Sequence, residues 1–219
     1  SQVGAWDWYP GDDVVDVVGR DSYYALQYPL AKEFNELKSR YPNKLICLAE
    51  CGNGDEVDMS QWRRCPDCSA LMREQGMIST AELQQYFMSR VAEILARYDK
   101  LPAVWNEAIE GGKLTAETRV YGWEGVKECR ASAAEGYSTV VMPGEYFYFD
   151  MKHSYCTVKG TYYYEPSKVG IKGKYAGHIL GVEGQNWTEW TETADELFFK
   201  MSTRGLALSE CAWSRSRDY

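Results

Sequence analysis

Apolar positions along the chain alternate between two spacings. Val14–Val18 is a short β-branched run bounded by Gly11-Asp12-Asp13 and Gly19-Arg20-Asp21, which predicts a buried strand. Leu30, Phe34 and Leu37 recur at helical spacing, and Pro42-Asn43 closes that helix. Leu45–Ala49 is the next apolar run, so the opening reads strand, helix, strand, a βαβ unit. Ser79-Thr80-Ala81-Glu82 has the form of a capping box, and Leu83, Phe87, Val91, Ile94 and Leu95 continue from it as one helical stripe. Further short runs at Ala103–Trp105, Arg119–Trp123, Thr139–Met142 and Ile179–Val182 predict strands. A helix is expected over Val126–Glu135, ended by Gly136, and a last one over about Ala194–Ala212.

Six strands, nearly all followed by a helix, imply an α/β fold with a parallel sheet, either doubly wound or a barrel. No GxGxxG follows a strand, which disfavours a dinucleotide fold. A closed (β/α) barrel needs eight strands and typically about 250 residues. At 219 residues the chain predicts a TIM-barrel-like fold of about six βα units, incomplete or completed by self-association. Glu50, Trp105-Asn106-Glu107, Trp123-Glu124 and Trp187-Thr188-Glu189 all fall at the C-terminal ends of expected strands. That is the rim on which βα barrels carry their active sites.

Composition narrows the partners. A net charge of −8 lacks the positive surplus that phosphate neutralisation requires, so nucleic acid is not an expected partner. No apolar run is long enough to span a bilayer as a helix, and no membrane association is expected. Eight Trp and seventeen Tyr supply many flat faces, which suit stacking on sugars but equally fill ordinary cores. Seven cysteines, an odd number, do not make a closed disulfide framework. Cys65-Pro66-Asp67-Cys68 is a lone CxxC; with no second CxxC and only His153 and His178, unpaired, as histidines, a local disulfide or two plain thiols is expected there. Neither a metal nor a cofactor is expected.

From about residue 54 to residue 214 the chain resembles family 20 glycoside hydrolases, the β-N-acetylhexosaminidases. The resemblance is carried by Gly54-Asp55-Glu56-Val57, by Trp62 with Cys65-Pro66-Asp67-Cys68, and by Glu82-Leu83-Gln84-Gln85-Tyr86-Phe87. It continues through Val104-Trp105-Asn106-Glu107, Gly122-Trp123-Glu124-Gly125 and Val141-Met142-Pro143-Gly144, then Tyr146-Phe147-Tyr148-Phe149-Asp150. Gly181-Val182-Glu183-Gly184 leads into Trp187-Thr188-Glu189, and Leu206 to Ser214 ends it. Trp8-Tyr9-Pro10-Gly11, Val15 to Asp21 and Leu48-Ala49-Glu50-Cys51 instead resemble family 26 glycoside hydrolases, mostly β-mannanases. The expected organisation is a family 26-like βαβ segment over 1–52 and a family 20-like barrel portion over 53–219, together one domain.

The family 20 resemblance implies substrate-assisted retaining hydrolysis of terminal β-linked N-acetylglucosamine or N-acetylgalactosamine. It makes Glu56 the acid/base, Asp55 the acceptor of the acetamide N–H, and Tyr148 a donor to the acetamide oxygen. Trp105 and Trp123 would enclose the acetamide methyl, Trp187 would stack on the sugar face, and Asp150 and Glu189 would bind ring hydroxyls. It also implies an extracellular or periplasmic setting. Two other readings stay open: a mannanase-like glycosidase with Glu50 as nucleophile, and a non-catalytic barrel portion that binds sugar or pairs as a homodimer.

Overall fold

The computed structural model of the protein describes residues 17–22, 30–51, 59–168 and 173–214. It divides into two compact units between residues 54 and 55.

In the first unit β1 (Val17–Ser22) and β2 (Leu45–Cys51) pair in parallel, with Val17 opposite Leu45 and Asp21 opposite Glu50. Helix α1 (Leu30–Arg40) links them, as the spacing of Leu30, Phe34 and Leu37 predicts. Its end is set locally: the Tyr41 N–H donates to the Leu37 carbonyl at 2.8 Å, and Lys44 returns to Tyr41 across Pro42-Asn43 at 3.1 Å. Leu37 and Tyr41 are buried.

The second unit opens with α2 (Ser60–Arg64), α3 (Pro66–Glu74) and α4 (Thr80–Ala96). Periodicity does not predict the first two, because five to nine residues give too few turns for an apolar stripe to repeat. Cys65 caps α3: its Sγ accepts from the Cys68 N–H at 3.4 Å, and Pro66 takes the first helical position, where no N–H is needed. Ser79 caps α4 as expected, accepting from the Glu82 N–H at 3.2 Å. The Glu82 carboxylate reaches back to the Ile78 N–H at 3.0 Å, one residue before the cap.

β3 (Ala103–Trp105), β4 (Arg119–Gly122), β5 (Ser138–Val141) and β6 (Ile179–Val182) form one parallel sheet in that order. Sequential parallel order is the arrangement of a βα barrel wall. Helix α5 (Val126–Ala134) crosses over from β4 to β5, and Gly136 ends it with φ +95°, a conformation that favours glycine. After β5 come α6 (Gly144–Phe147) and α7 (Val158–Tyr163), and after β6 the terminal α8 (Ala194–Trp213). One buried cluster gathers Cys129, Val141, Met142, Phe147, Tyr148, Tyr164 and Cys211; a second gathers Met88, Val104, Ala108, Ile109, Leu114, Val120 and Tyr137.

The most apolar positions of α8 are not its buried ones. Phe198, Phe199, Leu206 and Trp213 are exposed, whereas Arg204, Ala207 and Cys211 are buried. β6 stands last in the strand order, with Leu180 also exposed. Among the described residues no helix is long and apolar enough to cross a membrane.

Candidate active site

The three tryptophans expected at strand ends meet Tyr148 in one row. Trp105 closes β3 and Trp123 follows β4; Tyr148 follows α6, on the connection that leaves β5, and Trp187 follows β6. The Trp105 and Trp187 rings meet edge-on, centroids 6.2 Å apart at 70°. Trp187 contacts Tyr148 at 6.4 Å, and Tyr148 stacks on Trp123 at 5.9 Å and 27°. Tyr121 adds an edge contact to Trp105 at 5.9 Å. Offset and edge-on pairs at these separations are attractive, which favours a defined wall of rings over independent rotamers.

The backbone fixes this row. Tyr148 and Gln185 form a parallel bridge beyond the ends of β5 and β6. The Phe149 N–H donates to the Gln185 carbonyl at 2.7 Å, and the Gln185 N–H donates to the Phe147 carbonyl at 2.8 Å. This short ladder holds the Tyr148–Asp150 and Trp187–Glu189 segments side by side.

Hydrogen bonds between the first two strand ends do the same on the other side. The Asn106 side-chain oxygen accepts from the Trp123 backbone N–H at 3.0 Å, and its amide nitrogen donates to Glu124 at 2.6 Å. The Trp123 indole N–H is shared by the two oxygens of Glu107, at 2.9 and 3.1 Å. Asn106 is buried, so its pairing also meets the requirement that buried polar groups be bonded.

Asp150 is 5% exposed, and neither of its carboxyl oxygens has a hydrogen-bond partner among the described residues. Burial pushes its carboxyl above the usual carboxylate range, against the pull of nearby Lys200 and Arg204. Glu189 is exposed, and its charge also acts to raise Asp150. Two buried acceptors with no partner among the described residues are a demand that an incoming hydroxyl donor would meet.

Asp55 and Glu56 lie outside the described residues. Glu50 lies near the end of β2, in the first unit. Among the described residues Cys65, Cys68, Cys129 and Cys156 are thiols outside any disulfide. Among the described residues no group of three His, Cys, Asp or Glu side chains converges as a metal site would require. Sequence reasoning missed Arg204 and Lys200, which anchor the Asp150 and Trp187–Thr191 segments from α8. The one signal for them was a lone arginine on the helix face that carries Ala207 and Cys211.

The Glycosyl hydrolase family 20 catalytic domain matches residues 21–216. That match includes β2 and begins ahead of the boundary expected at residue 53, and the resemblance of residues 1–52 to family 26 gains no support from it. A β-hexosaminidase of Porphyromonas gingivalis is 26% identical over 208 residues, covering 90% of this chain and 26% of the relative. A β-hexosaminidase of Vibrio furnissii is 26% identical over 187 residues, covering 80% and 30%. The chain thus spans between a quarter and a third of the length of these relatives. The crystal structure of a family 20 exo-β-N-acetylglucosaminidase from Vibrio harveyi, in complex with N-acetylglucosamine, shares the fold. Its TM-score is 0.70 at 24% identity, over 86% of this chain and 31% of that one. Matched over nearly all of its length by the family's catalytic domain, the chain belongs to glycosyl hydrolase family 20.

Proposed function

We propose that this chain supplies the sugar-binding and catalytic portion of a retaining β-N-acetylhexosaminidase that removes terminal β-linked N-acetylhexosamine. The observation that carries this reading is the row Trp105–Trp187–Tyr148–Trp123, drawn from the segments at or beyond the ends of β3, β6 and β4 and the connection that leaves β5. Such a wall fits the apolar face of a pyranose and the methyl of its acetamido group. Asp150 and Glu189, two residues beyond Tyr148 and Trp187, take the ring hydroxyls.

In this reading the sugar's acetamido oxygen attacks C1 while Glu56 protonates the departing glycosidic oxygen. The aglycone leaves as an alcohol, and a bound oxazolinium ion remains. Asp55 accepts the acetamide N–H and stabilises the positive ring, and the Tyr148 hydroxyl donates to the acetamide oxygen. Glu56, now a carboxylate, then takes a proton from water as the water adds to C1. Repulsion between two neighbouring carboxylates favours keeping one proton on the pair, which in this reading helps keep Glu56 protonated for the first step. An extracellular or periplasmic setting belongs to the same reading.

The exposed apolar positions of β6 and α8 support a further element, pairing with another copy of this surface. β6 ends the strand order, and Leu180, Phe198 and Leu206 are exposed beside it and along α8. A second copy of the chain is the occupant proposed, and a sizing column that returns only monomer counts against it.

The test is hydrolysis of p-nitrophenyl N-acetyl-β-glucosaminide by the parent chain and by Glu56→Gln. The parent should release p-nitrophenol and the variant should lose at least about a hundredfold in kcat, the usual contribution of a general acid. Equal turnover by the two removes Glu56 from the acid role.

A further inference from the structure

Arg204 has no exposed surface, yet no carboxylate bonds it among the described residues. A buried guanidinium is costly unless its donors are satisfied, and here they are spent on backbone. Its two terminal nitrogens donate to the carbonyls of Phe149, Met151 (3.0 Å) and Cys156 (3.3 Å). Its Nε donates to the Lys200 carbonyl one turn earlier in α8, at 2.8 Å, and the Phe149 ring lies 5.3 Å from the guanidinium carbon.

Phe149 and Met151 are the two chain neighbours of Asp150. The arginine therefore grips the backbone on both sides of an acid whose own two oxygens it leaves open. An arginine needed only to neutralise Asp150 would donate to the carboxylate, the stronger acceptor. The charged groups that act on Asp150 are Arg204 and Lys200 from α8 and Glu189 from the segment after β6; the Cys156 thiol lies in the same environment.

We propose that Arg204 is the positioning residue for Asp150, fixing the backbone on either side so that both carboxyl oxygens stay buried, unbonded and directed to the hydroxyls of the bound sugar. The last clause rests on the function proposed above; the grip itself does not.

The experiment uses the full chain as parent, Arg204→Met and Arg204→Lys, and reads the Asp150 carboxyl by 13C NMR across pH. Arg204→Met removes one of the two cations that lower the Asp150 carboxyl, so the Asp150 midpoint should rise. Arg204→Lys keeps the charge but replaces the planar fork that serves four carbonyls with a single ammonium. Its midpoint should stay near the parent's while affinity for N-acetylglucosamine falls about tenfold. In an Asp150→Asn background the same Lys substitution should cost no further affinity. An unmoved midpoint in Arg204→Met overturns the proposal, as does an affinity loss of equal size with and without Asp150. If neither variant folds, the parent decides: the Arg204 Nε–H resonance must move as Asp150 titrates, and a resonance indifferent to that titration overturns the proposal. A parent in which these NMR couplings hold but N-acetylglucosamine does not bind supports the grip and counts against the function alone.

Discussion

The indole N–H of Trp123 donates to both carboxylate oxygens of Glu107, at 2.9 and 3.1 Å, tying the wall residue after β4 to the turn after β3. Charge-assisted bonds of this kind contribute about 1.5–3 kcal/mol. Glu107→Ala should lower unfolding free energy by about that amount in a urea titration, and Glu107→Gln by less, because its amide oxygen can still accept one bond. Both variants should weaken N-acetylglucosamine binding, since the Trp123 ring loses its fixed orientation.

Asp150 works against the fold at neutral pH. Its carboxyl is held above the usual carboxylate range by burial, so the folded state binds a proton more tightly than the unfolded state does. The resulting penalty is absent below the unfolded value. It grows as pH rises through the gap between the two values and is complete above the folded one. Asp150→Asn should therefore stabilise the chain at neutral pH, because the amide carries no charge to bury. The gain should vanish as pH falls below the ordinary carboxylate range. Thermal melts across pH check this; a gain that grows toward acid contradicts it. The same variant should lose sugar affinity, a stability–function conflict expected at a binding site.

The thiols should separate by reactivity. The Cys68 N–H donates to Cys65 Sγ and holds that thiol below its ordinary value, while burial pushes Cys129 up to about 12. Burial likewise raises Cys156. Because the thiolate is the reactive form, brief iodoacetamide treatment of the native chain at neutral pH should label Cys65 well before Cys129 or Cys156. Peptide mass spectrometry reads the order. Early labelling of Cys129 means that α5 does not stay packed on β4.

That packing is tight at Gly122. A Cβ added there would meet Cys129 Sγ at 2.6 Å and its Cα at 3.1 Å, and the thiol donates to the Gly122 carbonyl at 3.1 Å. Gly122→Ala should cost about 1–3 kcal/mol by overpacking. Cys129→Ala in the same chain should recover part of the loss by removing the sulfur, though the new methyl would still press on the helix backbone. A double-mutant cycle measures this coupling.

Much of this was legible in the sequence. The strands at Ala103, Arg119, Ser138 and Ile179 announce themselves as short apolar runs between polar breaks, and helical spacing marks α4. Trp105 and Trp123 could be assigned to strand ends because each ends such a run, and Trp187 because it lies five residues beyond one. That they share one row could not be read, because Trp123 joins it through Tyr148, whose backbone pairs with Gln185, 37 positions away in sequence. Arg204 was hidden for a related reason. Helical periodicity ranks positions by hydrophobicity and takes the apolar face as the inner one, but α8 turns an arginine inward and leaves Phe198 and Leu206 outside. Only the positions of the Phe149 and Met151 carbonyls explain that choice. The caps of α3 and α4 were partly legible: Ser79 follows a known rule, whereas Cys65 as a cap has no strong sequence signal.

If the row of rings is a pocket for an N-acetylated sugar, the tryptophans themselves should report it. Their fluorescence can be titrated in parallel with N-acetylglucosamine and with glucose. A saturable change is expected with the first and little or none with the second, because the enclosed acetamido group supplies much of the contact. Equal responses to the two sugars, or no response to either, would rule the pocket out.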